Sequence, residues 1–263
     1  VIDRRRTARS AAFFDLDRTL ISGSSAFVLG IAAWRGKLVP TSQFTRDAFS
    51  ALSFVLSGAD DDTSMGVRDR ILGAVKGVRI DDLVALNTDI VPRLIDRVRP
   101  ESHRLIEQHR QAGRNTYIVS ASPVELVEPL AQALGMTAGI GTRSRIVDGR
   151  YTGDLDGPFC YGEGKIEAIS AIAQAEGFDL DRCWAYSDSA SDLPMLRAVG
   201  HPVAVNPDAR LEREAATEGW PVVVFHRRTR AVVRRTSQAV AAAGLVAGGF
   251  AGGLRWARSH ASA

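Results

Sequence analysis

Two cysteines in 263 residues, Cys160 and Cys183, are too few and too far apart for a disulfide scaffold or a C-x-x-C metal knuckle. They read as reduced, partly buried thiols in a cytosolic protein. The five histidines show no metal-ligand spacing, and no nucleophile-elbow motif accompanies them, which removes Ser/His/Asp catalysis. Long apolar runs are scarce too. Residues 11–14 stop at Asp15, too short for the apolar region of a signal peptide. Residues 239–254 are uncharged but rich in Ala and Gly, and short of the ~20 predominantly apolar residues a membrane span wants. Acids are missing from two stretches, residues 18–42 and 226–263.

What is present is an ordinary soluble composition, 45% hydrophobic and 24% charged, which excludes wholesale disorder. The formal charge of +3 is unevenly placed. Residues 1–9 and 226–263 hold eleven arginines against Asp3 alone, so the body between them stands at −7. An acidic body gains nothing from counterion release and is a poor nucleic-acid platform. The expectation is a cytoplasmic protein whose basic tail, residues 226–263, offers a peripheral contact to anionic lipid.

The texture changes along the chain. Residues 11–14 form an apolar run feeding an acidic cluster, as a buried parallel strand entering a loop does. Residues 26–98 are helical in pattern, interrupted by Asp60, Asp61 and Asp62, which read as a solvated loop. From residue 99 helices and strands alternate, implying a parallel sheet covered on both faces, with its sites at the strands' carboxyl ends. Strands are predicted at 116–119, 183–186, 203–205 and 222–225, and helices at 101–112, 123–134 and 165–175, with further helices from Leu193 and near Leu211. Asp148-Gly149 marks a hairpin within 140–155. Ser122, Pro123 and Glu125 read as a helix start with a serine cap, and Asp192 as a cap for the helix at Leu193.

Acidic and hydroxyl residues recur where those strands end: Asp15 and Asp17, then Ser120, then Asp188 and Asp192, with Lys165 opening a helix between. Several carboxylates in one crevice repel one another unless a cation is present or some are protonated. A hard cation such as Mg²⁺, bound through one or two carboxylates plus substrate phosphate, answers this. Gly162-Glu163-Gly164-Lys165 is no P-loop, since Ile166 stands where Ser or Thr is needed.

Asp15-Leu16-Asp17-Arg18-Thr19-Leu20 resembles the D-x-D-x-T motif of the haloacid dehalogenase superfamily. Ser120, Lys165 and Ser187-Asp188-Ser189-Ala190-Ser191-Asp192 with Met195 resemble its later motifs, in order. The chain is most similar to the phosphoserine phosphatase-like branch, over roughly residues 10–225. That resemblance implies an α/β, Rossmann-like core (residues 10–21 and 99–225) with a helical cap inserted after the first motif (22–98). Segments 22–25 and 98–100 would be the hinges of that lid. It implies that Asp15 attacks phosphorus, Asp17 is the general acid and base, and Ser120 and Lys165 hold the phosphoryl oxygens. Asp15, Asp17, Asp188 and Asp192 would serve Mg²⁺. Ser187 stands where glycine is common, tolerable if its φ is negative.

The expected function is Mg²⁺-dependent hydrolysis of a small phosphomonoester through an aspartyl-phosphate. The alternatives are phosphoryl transfer on the same intermediate, or a catalytically silent regulatory protein on this fold. For the substrate, the resemblance puts Ser24 where phosphoserine phosphatases carry a carboxylate for the ammonium group. Arg70, with Arg68 as the other candidate, would meet a substrate carboxylate. An anionic substrate without an obligatory amine fits that pattern.

Overall fold

The computed structural model describes residues 9–38, 69, 72–73 and 75–225, and the backbone of 232–234. Its first strand shows why the sheet forms where it does. Strand β1 (Ala11–Asp15) is buried along its whole length. Ala12 and Phe14 enter one hydrophobic cluster, while Ala11 and Phe13 enter another on the opposite face. A strand covered on both faces has no polar alternation to keep, hence the continuous apolar run. Burial of each phenylalanine contributes about 1.5–3 kcal/mol.

The strands that follow are β2 (Asn115–Pro123), β3 (Ala138–Thr142), the hairpin β4 (Ser144–Val147) and β5 (Arg150–Leu155), β6 (Trp184–Ser187), β7 (His201–Val205), β8 (Val222–Val224) and β9 (Val232–Arg234). The main sheet runs β3-β2-β1-β6-β7-β8-β9, parallel except for the antiparallel pair β8–β9. In register, Asp15 lies beside Val119 of β2, and Phe14 beside Tyr186 of β6. The chain leaves β1 in one direction and returns on its other side, which puts the topological switch point, and the crevice above it, at Asp15.

Helices α1 (Ser25–Arg35), α2 (Ile80–Ala85) and α3 (Asn87–Ile95) precede α4 (Pro100–Gln111), α5 (Val124–Ala133), α6 (Glu163–Glu176), α7 (Leu193–Arg197) and α8 (Ala209–Glu218). Ile106 of α4 and Leu126 and Leu130 of α5 cover one face. Ile169 of α6, Met195 and Leu196 of α7 and Leu211 of α8 cover the other. Val28 and Ala32 of α1 and Ile90 and Leu94 of α3 join the first cluster beside Leu20, Ile21 and Val98. No strand occurs among the described residues between 22 and 98. The two chain crossings into this helical segment run side by side: Ser22 N–H donates to the Arg97 carbonyl at 2.8 Å, and Arg99 N–H to the Leu20 carbonyl at 3.0 Å.

Three readings change. Strand β3 is a parallel edge strand, so the hairpin occupies only residues 144–155, turning at Asp148 (φ 49°) and Gly149 (φ 71°). Strand β9 falls inside the segment read as a tail. Strand β2 extends to Pro123, and α5 begins at Val124 rather than at Pro123. Residues 60–62, Arg68, Arg70 and residues 239–254 lie outside the described residues. Among the described residues, no helix is long and apolar enough to cross a membrane.

Candidate active site

The chemistry-bearing side chains converge on the carboxyl edge of the sheet. Asp15 ends β1, Ser120 lies near the end of β2, Asp188 follows β6, and Asp192 closes a short 3₁₀ turn (Ala190–Asp192) ahead of α7. Lys165 comes from the first turn of α6, and its Nζ donates to Asp15 Oδ1 at 2.6 Å and to Asp192 Oδ2 at 2.7 Å. All three residues are buried. Gly164 allows this placement: a Cβ there would collide with the Phe159 carbonyl oxygen, so only glycine lets α6 start this close to the preceding loop.

Asp188 has other partners. Thr19 Oγ1 donates to its Oδ1 at 3.3 Å, and Arg18 Nε pairs with its Oδ2 at 2.8 Å. The Arg18 side chain is 62% exposed and its backbone has φ 60°. Ser187 Oγ donates to Asp192 Oδ2 at 2.6 Å, a bond that glycine at this position could not make. Ser187 is not among the residues at positive φ, so its backbone tolerates the substitution. Asp192 therefore spends Oδ2 on Lys165 and Ser187 and makes no side-chain capping bond to α7, contrary to its reading as a helix cap. Its Oδ1 is buried without a hydrogen-bond partner.

Burial and like charge dominate the electrostatics. Burial pushes Asp15 up, Lys165 opposes that rise, and Asp192 and Asp188 add to it. Burial likewise raises Asp188 to about 6 against the pull of Arg18. Desolvation alone would lower Lys165, but Asp15 and Asp192 outweigh it and hold the ammonium charged. Asp17 is raised by burial against a hydrogen bond from Ser25.

That bond marks what the sequence reading missed. Ser25, the first residue of α1, donates its backbone N–H to Asp17 Oδ1 at 2.7 Å. Its hydroxyl lies 2.7 Å from that of Ser122, which is no helix cap: Pro123 holds that position and makes no side-chain capping bond. Ser122 N–H donates to Ser120 Oγ at 3.2 Å. Ser24 is the half-buried N-cap residue of α1, with no capping bond from its side chain. Arg70, assigned to substrate, lies outside the described residues. A pattern of short hydroxyl residues gave the only hint of Ser25 and Ser122, and in sequence such residues look like turn formers.

A divalent cation fits this donor set. Four carboxylates, Asp15, Asp17, Asp188 and Asp192, face two cations, Lys165 and Arg18, and burial with mutual repulsion holds Asp15 and Asp188 above the usual carboxylate range, which a bound divalent cation would relieve. Among the described residues no group of three or more acidic, His or Cys side chains is arranged to ligate a metal. Asp15 and Asp188 could hold Mg²⁺ with backbone and phosphate oxygens completing its shell, the pattern in which Mg²⁺ uses one or two carboxylates.

Comparison with known proteins agrees with this geometry. Residues 12–197 match the haloacid dehalogenase-like hydrolase family, whose phosphatases generally use Mg²⁺. An "inhibition of morphological differentiation protein" of Streptomyces azureus is 40% identical over 87% of this chain and 83% of its own length. A phosphoserine phosphatase of Mycobacterium tuberculosis is 40% identical over 82% of this chain and 71% of its own. A solved structure from Bordetella pertussis Tohama I, of unknown function, superposes with a TM-score of 0.71 at 27% identity, covering 82% of this chain and 98% of that one. A site of strand-end carboxylates around one buried lysine, carried on this fold and in this company, places the chain among the haloacid dehalogenase-like hydrolases, as a phosphoric monoester hydrolase of the phosphoserine phosphatase-like kind.

Proposed function

We propose that this chain hydrolyses a small phosphorylated alcohol through an aspartyl-phosphate on Asp15. The observation that carries the reading is the different surroundings of two carboxylates two residues apart. Asp15 is held by the Lys165 ammonium at the strand end, while Asp17 is turned to the amide of Ser25. In the first step an Asp15 carboxylate oxygen bonds to phosphorus, the ester P–O bond breaks, and Asp17 gives its proton to the departing alkoxide. In the second, water attacks the same phosphorus, Asp17 takes its proton, and the acyl-phosphate P–O bond breaks to release inorganic phosphate. Lys165 and Ser120 hold the phosphoryl oxygens as charge builds. Asp15, the Asp17 carbonyl and Asp188, with Asp192 behind them, would hold Mg²⁺, which when bound would supply positive charge to the phosphate and the carboxylates around it.

Residues 22–98, of which α1, α2 and α3 are described, would act as a lid, with 22–25 and 98–100 as its hinges. Phosphoserine is the first substrate to try, given the Mycobacterium tuberculosis relative. The acid-free stretch 18–42, with Ser24 at the foot of α1, favours an anionic substrate without an obligatory amine: an ammonium desolvated there would find no carboxylate within that stretch, at a cost of several kcal/mol. The test is phosphate release from phosphoserine, phosphoglycolate, glycerol phosphate and phosphoethanolamine, with Mg²⁺ and with EDTA, in wild type and Asp15→Asn. Turnover should vanish in the variant and in EDTA. Undiminished release by Asp15→Asn ends the covalent reading, and a marked preference for phosphoserine ends the substrate reading.

A further inference from the structure

We propose that Ser25 and Ser122 are a positioning pair for Asp17, coupling the general acid to the phosphate-holding end of β2. The inference rests on the reading of Asp17 as the acid. Four groups form one connected line. Asp17 Oδ1 accepts from Ser25 N–H at 2.7 Å, Ser25 Oγ meets Ser122 Oγ at 2.7 Å, and Ser122 N–H donates to Ser120 Oγ at 3.2 Å. The hydroxyl pair joins residues 97 apart in sequence, and both are buried, Ser25 completely.

Each link has a physical reason. The first amides of a helix lack intrahelical acceptors, so Ser25 N–H is free to take a carboxylate, and the positive end of α1 favours it. Nothing in α1's own start pins that amide, because Ser24 makes no side-chain capping bond. The hydroxyl pair does so instead. One hydroxyl donates and the other accepts, at the ordinary O–H···O length. Two buried hydroxyls bonded to each other fix the foot of α1 against the end of β2, and the Ser25 side chain also hydrogen-bonds Asp17. Lys165 meanwhile is engaged by Asp15 and Asp192. Asp17 thus keeps its aim through the serine line rather than through the lysine.

The consequence separates positioning from simple stability. A proton from Asp17 matters most when the leaving group is a poor one, such as the alkoxide of glycerol phosphate. It matters least for 4-nitrophenyl phosphate, whose phenolate departs unaided. Ser122→Ala should lower kcat/KM for glycerol phosphate by about tenfold or more, with the ~10²–10⁴-fold a general acid contributes as the ceiling. For 4-nitrophenyl phosphate the change should stay within about twofold. Ser122→Thr, which keeps a hydroxyl, should restore the ratio. If Ser122→Ala folds poorly because Ser25 Oγ loses this partner, Ser25→Ala/Ser122→Ala removes both hydroxyls together. That double variant should show the same selective loss. Asp17→Asn serves as the reference. A selective loss in Asp17→Asn with an equal loss on both substrates, or none, in the serine variants overturns the positioning pair alone. An unselective Asp17→Asn overturns the reading of Asp17 as the acid.

Discussion

Removing the Lys165 ammonium should cost more in stability than any surface change, and the cost should depend on pH in a defined direction. Lys165→Met keeps the length and apolar stem of the side chain but deletes two hydrogen bonds to carboxylates, at 2.6 and 2.7 Å. Lys165 is 3% exposed and Asp192 2%, so solvent screens neither. Hydrogen bonds to charged groups are worth about 1.5–3 kcal/mol each. Breaking a buried pair by removing one partner costs about 3–5 kcal/mol, because a charge is left uncompensated. A loss of about 3–5 kcal/mol at pH 7 follows, read from urea midpoints at unchanged m. Asp15, which burial already raises against the pull of Lys165, then titrates still further above its unfolded value. The folded variant binds more protons than its unfolded chain, so its stability rises toward wild type as pH falls from 8 to 5. Lys165→Met/Asp15→Asn removes one stranded charge and should recover part of the loss, a non-additivity expected of direct contacts. A Lys165→Met protein within about 0.5 kcal/mol of wild type at pH 7 would refute the reasoning.

Arg18→Asn removes the guanidinium from Asp188 and suits the positive φ; calorimetry should show Mg²⁺ binding about fivefold tighter, the equivalent of ~1 kcal/mol for an exposed pair, and weaker binding would contradict it. His109 is pushed down to about 4 by burial first and Arg114 second. Its unfolded form takes up the proton first, so its contribution is full above about pH 6.5 and is lost between 6.5 and 4. His109→Asn should therefore shrink the difference in stability between pH 7 and pH 5 by about 2 kcal/mol, measured by urea denaturation at both. Gly164→Ala forces a Cβ onto the Phe159 carbonyl and should destabilise by about 1–3 kcal/mol, with activity falling further because α6 carries Lys165; a thermal melt and a phosphate-release assay check both. Hydrogen exchange in residues 80–95 should slow when beryllofluoride and Mg²⁺ are bound if the helical segment closes as a lid, and indifference would remove the lid.

The sequence was most legible where one strong force acts alone. The run Ala11–Asp15 is apolar because it is buried on both faces, and Asp148-Gly149 turns a hairpin because both residues tolerate positive φ. It was least legible where a residue's role depends on a distant partner. Strand β3 carries Gly139 and Gly141, poor strand formers, yet a Cβ on Gly139 would lie 2.5 Å from the Val127 backbone. The close approach of α5 selects that glycine, and no local pattern reveals it. Ser122 and Asp192 likewise have good cap sequences, but their polar atoms find stronger partners 97 and 27 residues away. Local propensity proposes a cap, and tertiary contact overrides it.

The central place of β1 has a cost during synthesis. Its neighbours in the sheet are β2 and β6, and Ala11 donates its amide to the Cys183 thiol 172 residues later. At about 5–20 residues per second, roughly ten to thirty seconds separate the appearance of Ala11 from that of Cys183. During that interval two phenylalanines and an unpaired strand edge have no partner on one side. An emerging chain that must carry its future centre uncovered for so long invites a chaperone's attention first at residues 11–14, well before the phosphatase site above them exists.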